Sequence, residues 1–171
     1  METARAYAQR STEFPTLVQF QSPRDLTFVT TEGVRVAVVE LPSRWARRAG
    51  ERALRLGFNP GHAPAMQLVE PSPDWRGYSV VAVDLTNPGD TEVRLTLSIH
   101  DAWHDRSLAD RLNLPLVVAP RTRTTVRVAL SEVADAPDTR SMDMARIAHL
   151  MLFGSTPAVR GEVYVSRLWL E

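Results

Sequence analysis

From Val93 to Ile99 the chain alternates apolar and polar residues: Val93, Leu95, Leu97 and Ile99 fall on one side, Arg94, Thr96 and Ser98 on the other. Successive side chains of an extended strand point to opposite faces, so this segment reads as a strand with one buried and one solvated face. That is the habit of an antiparallel sheet. Similar runs recur along the chain. Leu17–Phe20 ends at Ser22-Pro23, Val34–Leu41 at Pro42, and Ala53–Phe58 at Asn59-Pro60-Gly61. Ala65–Val69 precedes Pro71 and Pro73, and Ser79–Leu85 stops before Asn87-Pro88-Gly89-Asp90. Leu114–Val118, Thr124–Leu130, Ile147–Phe153 and Glu162–Leu170 complete the series. About ten short strands, with a turn signal roughly every eight to twelve residues, predict an all-β antiparallel sandwich or jelly roll.

Helix has little room. Arg44–Gly50 has the length for about two turns and Asp143–His149 for about one, too short for a helical layer. Residues 1–15 read as a flexible N-terminal arm and residues 16–171 as a single domain, with no linker and no internal repeat. At 171 residues the chain is long enough to bury a sizeable core.

Charge and composition narrow the function. The 20 basic and 20 acidic residues cancel, and every basic residue is Arg. A zero balance argues against a nucleic-acid or anionic-membrane partner. There is no Cys, which excludes disulfides and thiolate metal sites. No run approaches the roughly 18 apolar residues of a membrane span, and Met1–Phe14 lacks the apolar stretch of a signal peptide. The sequence also lacks a Gly-x-Ser-x-Gly elbow, a phosphate-cradling glycine loop and a His-Glu-x-x-His pair. No catalytic residues are expected.

The most polar segment, His100–Asn113, joins two strands and concentrates Trp103, His104, Asp105, Asp110, Arg111 and Asn113. Sugar recognition needs a flat apolar surface for the C–H face of a ring and planar polar groups for paired hydroxyls, and these residue types supply both. The alternative is that Asp110 and Arg111 pair with neighbours and pin the loop while Trp103 covers the core edge. His100, Asp101, His104, Asp105 and Asp110 would make a ligand set on a helix, but the strand pattern sends His100 and Asp101 to opposite faces, so no metal site is expected. Trp45, amid Arg44, Arg47 and Arg48, reads as a stacking platform or as an indole packed over the sheet among Arg stems. Trp75 and Tyr78 read as caps on the core, and Trp169 has no assignable face.

From Asp74 to Glu171 the chain resembles the galactose-binding-like β-sandwich modules attached to agarases and other polysaccharide-degrading enzymes. The resemblance is carried by Asp74-Trp-Arg-Gly-Tyr78, Val83-Asp-Leu-Thr-Asn-Pro88, Leu97-Ser-Ile-His-Asp101, Ala109-Asp-Arg-Leu-Asn113, Met142-Asp-Met-Ala-Arg-Ile147 and Val163-Tyr-Val-Ser-Arg-Leu168, in that order. Phe20-Gln21, Asp25-Leu26 and Glu51–Leu56 fit more loosely. The resemblance implies a non-catalytic carbohydrate-binding module recognising a poly- or oligosaccharide. It places the site in the 100–113 loop, where Leu112 stands for the family's usual aromatic, with help from the 42–50 and 59–64 loops. Modules of this family also occur as appended domains of bacterial membrane proteins. A protein-interaction or structural accessory domain of a larger, membrane-tethered protein is therefore the alternative, and an extracellular, periplasmic or tethered location is expected over a cytoplasmic one. Family members often hold a structural calcium between two acidic residues. Here Gln21 and Ser166 stand at those places, which implies no retained ion, no cofactor, and a Gln21–Ser166 hydrogen bond instead.

Overall fold

The computed structural model describes residues 2–157 and 160–171. Among the described residues eleven strands follow in chain order: β1 (Thr16–Gln19), β2 (Val29–Glu32), β3 (Val34–Glu40), β4 (Arg52–Phe58), β5 (Ala65–Val69), β6 (Val80–Asn87), β7 (Val93–Asp101), β8 (Leu112–Val118), β9 (Thr122–Ala129), β10 (Ile147–Phe153) and β11 (Gly161–Leu170). Their pairings are all antiparallel. The larger sheet runs β3-β4-β11-β6-β9, with β1 pairing the second half of β11. The smaller runs β2-β5-β10-β7-β8. The two sheets form the antiparallel sandwich that the alternation predicted.

Between them lies the core. Leu54, Leu56, Val81, Val83, Leu85, Val163, Val165 and Leu168 come from the larger sheet, and Met66, Leu68, Leu97, Ile99, Leu150 and Leu152 from the smaller, all nearly or fully buried. Trp75 plugs this core completely, and its indole N–H is satisfied by the carbonyl of Ser72 at 2.7 Å. A buried indole without that acceptor would cost as much as a lost hydrogen bond. In β11 a bulge at Ser166 breaks the register between Val165 and Arg167, so that Tyr164, Arg167 and Trp169 all point outward while Val163, Val165, Leu168 and Leu170 face the core.

Several local expectations give way to tertiary context. The stretch read as a loose arm is a helix, α1 (Glu2–Glu13). Its Ala, Arg, Gln and Glu residues are strong helix formers, and it docks on the sandwich through Phe28: Tyr7 meets that ring edge-on at 4.9 Å and Arg10 lies over it at 4.2 Å. Residues 44–50 form turns rather than a helix, and residues 143–149 form a turn leading into β10. Leu130, read as the end of a strand, opens a short helix instead, α2 (Leu130–Ala134). The strand β2 was not expected, since Val29-Thr-Thr-Glu32 offers a single apolar residue and pairs only along the sheet edge.

Candidate ligand-binding site

The 101–113 loop is held by one guanidinium. Arg140 donates to both oxygens of Asp101, at 2.6 and 2.8 Å, and to both oxygens of Asp110, at 2.6 and 2.9 Å. Asp101 is fully buried and also accepts from the backbone N–H groups of Trp103 and Asp143. Burial alone would raise the pKa of Asp101, but these hydrogen bonds outweigh it and hold the carboxyl below its ordinary value. At Asp110 the Arg140 hydrogen bonds, helped by the Asp105 N–H, lower the pKa to about 2. No residue pattern near position 100 announces Arg140, which arrives from a loop thirty positions downstream of Asp110.

The remaining candidates of this loop are mostly turned on one another. Asp105 accepts from the N–H of Ser107, Arg111 donates to Asn113 at 2.8 Å, and Asn113 donates to the carbonyl of Leu108. Nδ1 of His104 lies 3.0 Å from the carbonyl of Asp110, and its ring stacks at 4.2 Å on His100, which stacks in turn at 4.7 Å on His149. His104, Asp105 and Asp110 bring ligand atoms within 4.8 Å of one another, but both Asp110 oxygens already face the Arg140 cation. Trp103 is 60% exposed, its indole N–H directed to Asp143 and its ring beneath Arg146.

A different arrangement covers the outer face of the larger sheet. In the register of β11, β6 and β9, Arg167, Asp84 and Thr125 lie side by side, and Thr86 pairs with Arg123 one row along. Ala82, Asp84 and Thr86 point outward yet are almost wholly buried. The β3–β4 connection folds over them: Trp45 packs on Leu41, Ala53 and Tyr164 in a small second apolar cluster. Trp45 is therefore half-buried, with its indole N–H unpartnered, rather than an exposed platform. The overhang leaves a cleft of about 260 Å³ lined by Gln19, Gln21, Arg47, Arg48, Glu51, Asp84, Arg123, Ser166, Arg167 and Trp169.

At its floor Arg123, with 8% of its side chain exposed, donates to Asp84 at 3.1 and 2.8 Å and to Glu51 at 2.9 and 2.5 Å. It also donates to the carbonyl of Trp45, which ties the overhang to the sheet. Burial works against the Arg123 charge, but these acceptors outweigh it and raise its pKa. Reciprocally, the Arg123 hydrogen bond holds Glu51 below its ordinary value against the opposing effect of burial. Trp169 borders the cleft half-buried, with Arg167 over its ring at 4.8 Å and its indole N–H donating to Glu171 at 3.0 Å.

Gln21 and Ser166, which stand where the resembling modules often hold a calcium, both line this cleft. The expected hydrogen bond between them does not form, because Ser166 Oγ is buried without a partner. The carboxylates present, Glu51 and Asp84, already share the guanidinium of Arg123. Calcium requires several oxygen ligands carrying negative charge, so a cation within hydrogen-bonding distance of both carboxylates leaves the residues of this cleft unsuited to the ion.

No protein-family model matches the chain, and no curated protein matches it. Solved structures do match in fold. An exo-β-agarase superposes with a TM-score of 0.72 at 13% identity over 91% of this chain, which spans 24% of the agarase chain. A family 11 carbohydrate-binding module from Clostridium thermocellum, solved in complex with a β-1,3-1,4-mixed-linked tetrasaccharide, superposes with a TM-score of 0.63 at 12% identity, covering 91% of this chain and 93% of that one. A family 30 carbohydrate-binding module of a cellulosomal cellulase from the same organism gives 0.54 at 13% identity, covering 83% and 92%. The chain thus shares the antiparallel β-sandwich fold of these carbohydrate-binding modules and of the matching part of the agarase. It spans about a quarter of the agarase and nearly the whole of the isolated modules.

Proposed function

We propose that this chain is a non-catalytic carbohydrate-binding module whose ligand lies in the cleft on the outer face of the larger sheet. The observation that carries this reading is Trp169, a half-buried indole at the border of a cleft whose other walls are amides, guanidiniums and carboxylates. An indole supplies the apolar surface for a sugar ring, and planar polar groups engage its hydroxyls. The Arg123 hydrogen bonds fix the floor before any ligand arrives, which lowers the entropic cost of binding. The structural neighbours include a module solved with a bound tetrasaccharide, and that supports a glycan as the ligand class. The 101–113 loop, in contrast, spends Asp101 and Asp110 on Arg140 and keeps Trp103 as its exposed aromatic.

Isothermal titration against agar oligosaccharides, mixed-linked β-glucan and other polysaccharides tests the assignment. Binding that falls at least about fivefold in Trp169→Ala, with Trp103→Ala within about twofold of the parent, is expected. Silence across the panel overturns it. A second reading, a protein-interaction domain, rests on Trp103 and Leu108, exposed by 60% and 70% on the same loop. A partner that co-purifies with the parent chain and is lost on Leu108→Asp would favour that reading.

A further inference from the structure

The cleft carries an uneven charge. Four guanidiniums, Arg47, Arg48, Arg123 and Arg167, face two carboxylates, Glu51 and Asp84, in a chain whose formal charge is zero. Both carboxylates are committed to the buried Arg123. The other three arginines stand at the rim with their heads in water. Arg47 reaches Asp84 at 3.2 Å with 58% of its side chain exposed, and Asp84 is already shared. Arg167 is exposed and donates to the hydroxyl of Thr16, a neutral partner. Arg48 is exposed and makes no ion pair among the described residues. Arg48 thus has no anionic partner among the described residues, Arg47 shares an Asp84 already divided and otherwise meets only Thr125 at 3.4 Å, and Arg167 has a neutral partner. Around a preformed floor these planar donors keep spare capacity, and such donors match carboxylate and sulfate oxygens in pairs.

We propose that the ligand of this cleft is an anionic polysaccharide, bearing carboxylate or sulfate-ester groups, engaged by Arg47, Arg48 and Arg167 while a sugar ring rests against Trp169. The proposal rests on the assignment of the cleft as a glycan site. A neutral glycan takes only hydroxyl hydrogen bonds from the rim arginines, whereas an acidic one exchanges hydrated guanidiniums for charge-assisted paired contacts, which are roughly twice as strong. Those contacts are exposed, so salt weakens them.

Affinity electrophoresis and titration calorimetry of the chain with polygalacturonate, a sulfated galactan, neutral agarose oligosaccharides and neutral mixed-linked β-glucan test this, at about 50 mM and about 500 mM NaCl. The expected result is binding of at least one acidic polymer about tenfold tighter than either neutral one, weakened about tenfold by the added salt. Arg47→Ala/Arg48→Ala removes most of that salt dependence and lowers acidic affinity about tenfold, while Arg94→Ala on the opposite sheet matches the parent. Polygalacturonate and sulfated galactan distinguish the two anionic groups. Tight, salt-insensitive binding of a neutral glycan that still needs Trp169 overturns the anionic proposal and leaves the glycan site standing. Absence of binding to every glycan overturns both. A single-stranded oligonucleotide that binds as tightly as the acidic polymers shows unselective polyanion capture and also overturns it.

Discussion

Arg123 and Asp84 form a two-pronged contact across the β9–β6 pair, with Nε donating to Oδ1 at 3.1 Å and Nη2 to Oδ2 at 2.8 Å. The side chain of Asp84 is 4% exposed and that of Arg123 8%, so neither charge can turn to water if the other is removed. Arg123→Ala therefore leaves two largely buried anions with only Arg47 for support, its guanidinium 3.2 Å from Asp84 and its backbone N–H donating to Glu51. Removing one member of a buried pair costs about 3–5 kcal/mol. Urea denaturation should show a loss of that order, and Arg123→Lys, which lacks the fork, should recover only part of it. A loss below about 1 kcal/mol would contradict the arrangement.

Arg140 plays the corresponding part in the smaller sheet, where it holds fully buried Asp101 and neighbouring Asp110. Arg140→Ala should destabilise the chain by about 3 kcal/mol or more. It should also return the Asp110 carboxyl from about 2 toward the ordinary aspartate value, as read by carbon-detected NMR titration. Because the folded pKa lies below the unfolded one, the stabilisation from Asp110 is present in full above about pH 4 and is lost as pH falls toward 2.

His149 lies at the inner end of the histidine stack, on the outer face of the smaller sheet. Burial first, and then the neighbouring His100, Arg111 and His104, push its pKa down to about 4. The unfolded chain therefore takes up a proton at this side chain between about pH 6.5 and 4 that the folded chain refuses. Stability should fall as pH drops through that window, by about 1–2 kcal/mol once its contact with water is allowed for. His149→Phe should flatten the dependence in thermal melts across the same range. An unchanged slope would show that His149 is not the group responsible.

Gly33 turns the chain between β2 and β3 with a positive φ of 64°, and a Cβ placed there would sit 2.2 Å from the carbonyl oxygen of Ala63. Backbone cannot yield as a flexible side chain can, and the left-handed conformation is itself unfavourable for a residue with a Cβ. Gly33→Ala should lower stability by about 2 kcal/mol or more, whereas Gly61→Ala, at φ 82° with open space around it, should cost less. Equal losses in differential scanning calorimetry would speak against the close approach at Ala63.

The strands were legible because alternation needs only neighbouring residues. Val93–Ile99 shows its buried face in the sequence, and β7 is found there. α1 was missed because a short amphipathic segment gains its helix by docking on Phe28, a residue that lies beyond β1. The cleft was illegible for a related reason. Glu51, Asp84 and Arg123 belong to three segments that only sheet pairing brings together, and in the sequence Asp84 is one polar residue within an apolar strand. Trp169 had no assignable face because the bulge at Ser166 decides it, and nothing in Val165-Ser-Arg-Leu168 marks a bulge. The 100–113 loop stands out in the sequence because its polar residues are adjacent. That density serves to a large extent the anchoring of the loop by Arg140.

The assignment of the glycan site to the larger sheet is tested most directly by following backbone and indole N–H signals by NMR while a bound oligosaccharide is titrated in. The account predicts that the Trp169 indole and the amides of Gln19, Arg47, Arg123 and Arg167 shift together along one saturating curve, while Trp103 and the amides of residues 104–113 stay in place. Shifts centred on Trp103, Asp105 and Asn113, with the Trp169 indole unmoved, would contradict it.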